Sequence, residues 1–228
     1  YTTVYNPDYI YYGYDYTAVP TAYHSLVADA LDAKLLQYAR SGLRAVEFRY
    51  FLEGVYNDYD KTRIWGNTYF DNDGNGFTLA DLDAMNAKMN YTEAVKKTNV
   101  ISVNVGSNDV FSFTLNLALQ EMTDNANNDA LKDIKDFLNN GGALGTAFGK
   151  LIEYCQSVGQ MAKLTTLITT TFARAYEQFE ENYDAVVKKI YELNPDITFV
   201  AVGVFNPFKH FRLSDGSNLD LSGLALPI

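Results

Sequence analysis

Cysteine is nearly absent from this sequence, positive charge is scarce, and long apolar runs are missing; each shortage excludes something. Cys155 is the single cysteine in 228 residues, so no disulfide framework can form within the chain, and the redox compartment stays open. Its apolar, helical surroundings read as those of a buried structural thiol rather than a nucleophile. Lys and Arg number 18 against 28 Asp and Glu, a formal net charge of -10. Such a surface repels nucleic acid and anionic membranes, and no basic patch offsets it. No apolar run approaches the roughly 18 residues a membrane span needs. A signal peptide is also missing: the chain opens directly in Tyr1-Thr2-Thr3-Val4, as one trimmed of a targeting segment would.

What is present is globular. Hydrophobic residues make up 47% and charged residues 20%, and the length suits one large domain, with the polar, turn-rich residues 53–90 as an insertion or long loop within it. The 18 tyrosines and the wealth of asparagine point to a secreted or cell-surface protein.

The chain is organised around Val100-Ile101-Ser102-Val103-Asn104-Val105-Gly106-Ser107-Asn108-Asp109-Val110. Its β-branched run predicts a strand buried on both faces of a parallel sheet. The strand ends at Gly106, and Asp109 is placed to N-cap a following helix over Ser112 to Met122. In an open α/β sheet ligands bind beyond the carboxyl ends of the strands. A carboxamide there, Asn108, could donate to a developing oxyanion.

Elsewhere the periodicity predicts a helix from Thr21 that buries Tyr23, Leu26, Val27, Ala30 and Leu31, a second strand over Lys34 to Ala39, and a helix from Ala45 to Leu52. His24 beside the first stripe reads as a surface or hydrogen-bonded residue. Tyr91 to Lys97 reads as a short helix, followed after Asn108 by three helices, broadly Ser112 to Met122, Asn128 to Leu138 and Gly145 to Thr169. The run Thr165 to Thr171 is poor in helix propensity and predicts a break. From Phe172 a stripe of Phe172, Tyr176, Phe179, Tyr183, Val186, Val187 and Ile190 predicts a long helix. Ile197 to Val204 closes the pattern as another buried strand.

Asp71-Asn72-Asp73-Gly74-Asn75-Gly76-Phe77 looks like the first half of a calcium loop, with Asp71, Asp73 and Asn75 as oxygen ligands and glycine at the sixth position. The twelfth position is Leu82, with Asp81 and Asp83 one residue out of register. The plain alternative is an Asx/Gly turn capping a helix from Leu79.

Taken with Tyr38-Ala39-Arg40-Ser41-Gly42-Leu43-Arg44 and Phe199-Val200-Ala201-Val202-Gly203-Val204-Phe205-Asn206-Pro207-Phe208, the Gly-Ser-Asn-Asp block resembles the SGNH (GDSL-type) hydrolases. The resemblance implies a three-layer α/β/α sandwich with a mostly parallel sheet, flavodoxin-like in outline. It implies a lipase or acylhydrolase activity on a small-molecule ester or acylated glycan, without a cofactor. Gly42 N–H and the Asn108 amide would form the oxyanion hole. The family's first block, Gly-Asp-Ser-Ile-x-x-Gly-Tyr, falls on Pro7-Asp8-Tyr9-Ile10-Tyr11-Tyr12-Gly13-Tyr14. That keeps Asp8 but sets Tyr9 where the nucleophilic serine belongs. A phenol titrating near 10 cannot simply replace an activated serine. Either the nucleophile has been lost, or its block precedes Tyr1. The final Asp-x-x-His block, which supplies the base, is missing from Lys209 to Ile228, and His210 follows the last strand too soon to replace it. The resemblance therefore implies an impaired esterase, or an inactive domain of this fold kept to bind surface glycans or acylated ligands.

Overall fold

The β-branched run at Val100 does form a strand, and its partner is the other apolar run far along the chain. The computed structural model describes residues 23–36, 43–56, 79–124, 128–140, 142 and 144–203. Within them β1 (Val100–Val103) and β2 (Thr198–Ala201) pair in parallel, with Val100 opposite Thr198 and Val103 opposite Ala201. Thr198 N–H donates to Asn99 O at 2.8 Å and Val202 N–H to Val103 O at 2.9 Å, extending the ladder past both ends.

Helices supply the rest. Three precede β1 beyond α1 (Tyr23–Ala30): α2 (Ala45–Glu53), α3 (Leu79–Met89) and α4 (Tyr91–Lys97). Between the strands run a π-helical turn (Asn108–Ser112), α5 (Phe113–Thr123), α6 (Asp129–Asn139), α7 (Leu144–Ser157) and α8 (Met161–Leu193). The class is thus mixed α/β, mostly helical, with a parallel pair joined by a helical crossover, as parallel strands require.

Two apolar clusters share α8. Its first half packs Leu164, Ile168 and Phe172 among Leu119, Phe148 and Leu151 of α5 and α7. The second half packs Val186 and Ile190 among Phe51, Leu82, Tyr91, Val103 and Ile197. At about 1.5 Å per residue α8 is long enough, roughly 50 Å, to serve both.

Several expectations change here. The sheet is buried on one face only: Ile101, Val103 and Phe199 belong to the second cluster, whereas Val100 is 49% exposed and Val200 42%. With a side-chain period of two, paired residues share a face, and among the described residues no helix covers the Val100 and Val200 side. In α1 the buried positions are Ser25 and Ala28, while Leu26, Val27 and Leu31 face outward, the reverse of the expected stripe. Lys34 to Leu36 form no strand, and Gln37 to Ala39 lie outside the described residues. The turn-rich stretch 53–90 ends in a helix, α3, whose Leu82 and Met85 are buried.

The threonine run does not break its helix. Thr166 Oγ1 donates to Ala162 O, Thr169 to Thr165 O and Thr170 to Thr166 O at 2.9–3.0 Å, so the hydroxyls bond back to the preceding turn while Ile168 and Thr171 are buried. Packing outweighs propensity. The break falls earlier, at Gly159, whose φ of 71° suits glycine. The aromatic stripe is also turned: Phe172, Val186 and Ile190 are buried, but Tyr176, Phe179, Tyr183 and Val187 are half-buried. Asn194 closes α8 and its Nδ2 donates to Val95 O at 3.0 Å and Thr98 O at 2.7 Å, fixing the entry to β1.

Candidate functional site

Beyond the carboxyl end of β1 the chain turns at Gly106, which holds φ at 115°, a left-handed value that only glycine adopts without strain. Val110 N–H donates to Gly106 O at 2.9 Å, and Thr114 Oγ1 to Val110 O at 2.6 Å. The π-helical turn Asn108–Ser112 follows. Such turns are rare and recur at functional sites. Val110 and Phe111 bury into the first cluster, with Phe111 against Phe172 at 6.2 Å between ring centres. The side chains of Asn108 and Asp109 point toward the start of α2.

Both of them grip its backbone. Asn108 Nδ2 donates to Leu43 O at 3.3 Å, and Asp109 Oδ1 accepts from Ala45 N–H at 2.8 Å. A carbonyl oxygen can only accept, so the bond to Leu43 sets the amide's orientation. One Nδ2 hydrogen is thereby committed, and the other has no acceptor among the described residues. Asp109 does not cap its own helix. It satisfies an otherwise free N–H in the first turn of α2, 64 residues away in sequence.

Arg44, between the two gripped residues, is fixed as well. Its Nη2 and Nε donate to Glu47 Oε1 at 2.6 and 3.0 Å, and Nη2 to Tyr56 Oη at 3.0 Å. Tyr56 Oη donates to Glu47 Oε1 at 3.2 Å, and Glu47 Oε2 accepts from Arg44 N–H at 2.8 Å. That last bond is the acidic half of a capping box. Arg44 and Glu47 are each 3% exposed and Asp109 is 4%. With every group ionised the cluster would hold one positive and two negative charges out of water. Asp109 Oδ2 has no hydrogen-bond partner. Burial, above all, pushes the Asp109 carboxyl up to about 7; Glu47 adds to the rise, while Arg44 and two backbone N–H groups oppose it.

Of the residues singled out in the sequence, Asn108 and Asp109 lie in this constellation. Gly42 precedes Leu43 but lies outside the described residues, as do Tyr9, Asp8 and the calcium-loop candidates Asp71, Asp73 and Asn75. Among the described residues no group of three or more His, Cys, Asp or Glu could hold a metal, and no helix is long and apolar enough to cross a membrane. Cys155 is fully buried in the first cluster. The sequence reading missed Arg44, Glu47 and Tyr56. A signal existed for the first two: an acid three residues after the helix entry, ahead of an apolar run, is the capping-box spacing.

No protein-family model matches the chain, and neither a curated protein nor a solved structure matches it.

Proposed function

We propose that this chain is a carboxylic-ester hydrolase domain of the SGNH (GDSL-like) type, a three-layer α/β/α sandwich whose substrate acyl oxygen sits beyond the carboxyl end of β1. The observation that carries the reading is the Asn108 carboxamide, held by Leu43, the residue that follows Ser41-Gly42 in sequence, with one Nδ2 hydrogen uncommitted among the described residues. In this reading that hydrogen and the Gly42 N–H donate to the oxyanion of a tetrahedral intermediate. The exposed Val100 and Val200 face supports a sheet that continues into a further layer. The substrate is a small-molecule ester or an acylated glycan, and the location secreted or at the cell surface.

Turnover is expected to be weak, because the position of the family's serine holds Tyr9, after Asp8, and no base is recognisable. Nucleophile and base act as a unit, and without them only oxyanion stabilisation and binding remain. The test compares hydrolysis of a short-chain p-nitrophenyl ester by the chain and by Asn108→Ala, corrected for buffer. We expect slow hydrolysis that drops by about 10²-fold or more in the variant; a rate indifferent to Asn108→Ala would refute the reading. A fluorophosphonate probe should leave the chain unlabelled.

Pro7 and Tyr9, in place of the family's glycine and serine, favour a second reading, a domain of the same fold that binds surface glycans without cleaving them. It predicts no ester turnover together with glycan retention that Asn108→Ala weakens.

A further inference from the structure

Asn108 and Asp109 are neighbours in sequence, yet they hold two backbone groups flanking Arg44, the Leu43 carbonyl and the Ala45 N–H, at 3.3 and 2.8 Å. We infer that this dipeptide is a two-point clamp on the Leu43–Ala45 backbone and that Asp109 is a proton-linked positioning residue, the clamp holding best with the carboxyl neutral and loosening as its charge forms. The proton linkage stands on the cluster alone and does not rest on the hydrolase reading.

Oδ1 can accept from Ala45 N–H in either protonation state, so the bond itself does not require a charge. Oδ2 is buried without any donor, and a carboxylate oxygen so placed loses its hydration with nothing in return. The charged groups that face it from α2 are Arg44 and Glu47, and Arg44 is already engaged by Glu47 and Tyr56. α8 packs against both α2 and the turn. Its buried polar side chains there, Thr171, Gln178 and Asn182, are neutral, and Glu181 pairs with Arg49 at 3.4 Å. α5 contributes Thr114, whose hydroxyl is spent on Val110 O. Ionising Asp109 therefore adds a second negative charge to a site whose one guanidinium is shared, and the least costly relief is to draw the turn away from α2.

The group then behaves oppositely to an ordinary surface carboxyl. Its folded pKa lies above its unfolded value of 3.8, so the folded state binds the proton more tightly. The stability it contributes is full below about pH 4, declines as pH rises to about 7, and is flat beyond.

Two measurements on the intact chain test this. A carbon-13 NMR titration of the Asp109 carboxyl should have its midpoint near neutrality, and the Asn108 side-chain amide resonances should move with the same midpoint. Thermal unfolding should fall between pH 4 and 7 by roughly 5 °C or more relative to Asp109→Asn, which keeps an acceptor for Ala45 but cannot ionise. A carboxyl midpoint near 4, or Asn108 resonances that ignore it, would overturn the inference even if Asp109→Asn failed to fold. No ester enters these measurements, so their failure is separate from failure of the hydrolase reading.

Discussion

Replacing Glu47 by glutamine removes the charge that faces the Arg44 guanidinium while keeping the side chain's size and an oxygen for the Arg44 N–H. Both members of the pair are 3% exposed and meet at 2.6 Å. Deleting one side of such a buried pair costs about 3–5 kcal/mol when no other charge substitutes. Here a substitute stands nearby. Asp109 is held largely neutral by burial and, secondarily, by repulsion from Glu47, against the pull of Arg44. With Glu47 uncharged the repulsion vanishes and the pull remains, so Asp109 ionises at lower pH and becomes the new counter-charge.

The cost of Glu47→Gln should therefore depend on pH. In the natural chain the folded Asp109 carboxyl, at about 7 against 3.8 unfolded, costs stability on the order of 4 kcal/mol once pH exceeds its folded value. About half of that, roughly 2 kcal/mol, falls between pH 5.5 and pH 8 at 1.36 kcal/mol per unit. A variant whose Asp109 is already ionised at pH 5.5 escapes this further loss. The destabilisation by Glu47→Gln is thus expected to be about 3 kcal/mol or more at pH 5.5 and to shrink by about 1–2 kcal/mol at pH 8. Urea unfolding of the intact chain at the two pH values measures it, provided m is unchanged. Adding Asp109→Asn should abolish the pH dependence and make the double variant non-additive. A cost of Glu47→Gln that agrees at both pH values within about 0.5 kcal/mol, or a double variant that keeps the dependence of the single one, would show that Asp109 does not take over as counter-charge.

Two further outcomes follow from packing and backbone. Phe148, fully buried in the first cluster, should lose about 3–5 kcal/mol on change to Ala; a loss under 1 kcal/mol in urea unfolding would mean the cluster is not packed as described. Gly106→Ala forces a β-carbon onto a φ of 115° and should cost about 1–3 kcal/mol, with displaced Asn108 side-chain resonances; an unchanged spectrum and midpoint would show that the turn tolerates an ordinary residue.

Local pattern carried part of this structure. The two strands in the Val100 and Ile197 runs, their parallel sense, the helix Tyr91–Lys97 and the helix from Ala45 were legible because each depends on a short apolar period with a clear start; that the two strands pair with each other was not. The buried side of α1 was misjudged because Ser25 and Ala28 point inward while larger apolar residues face out, which hydropathy alone ranks the other way. Continuity through Thr165 to Thr171 was illegible for a different reason: intrinsic propensity argued for a break, and only the contacts of Leu164, Ile168 and Phe172 with α5 and α7 override it. At the site, Asn108 could be picked out from its place after a strand. Arg44 and Glu47 carried a spacing signal that went unread. The role of Asp109 could not be read at all, since its partner N–H is 64 residues away and a polar residue at a helix start suggests a local cap first.

That distance explains why the site and the stability of the molecule are tied together. Val110 and Phe111 of the π-helical turn belong to the cluster of α5, α6 and α7, whereas Phe48, Phe51 and Leu52 of α2 belong to the cluster around β1. The two hydrogen bonds from Asn108 and Asp109 cross the seam between these clusters. Among the described residues the clusters are also linked by the backbone from β1 into the turn and by α8, whose halves serve one cluster each. A ligand oxygen drawing on the free Nδ2 hydrogen of Asn108 would sit on that seam, and anything that parts the turn from α2 would disperse its binding groups before either cluster unfolds. Local opening at a seam costs less than global unfolding, so the two hydrogen bonds made by Asn108 and Asp109 should break before either core does.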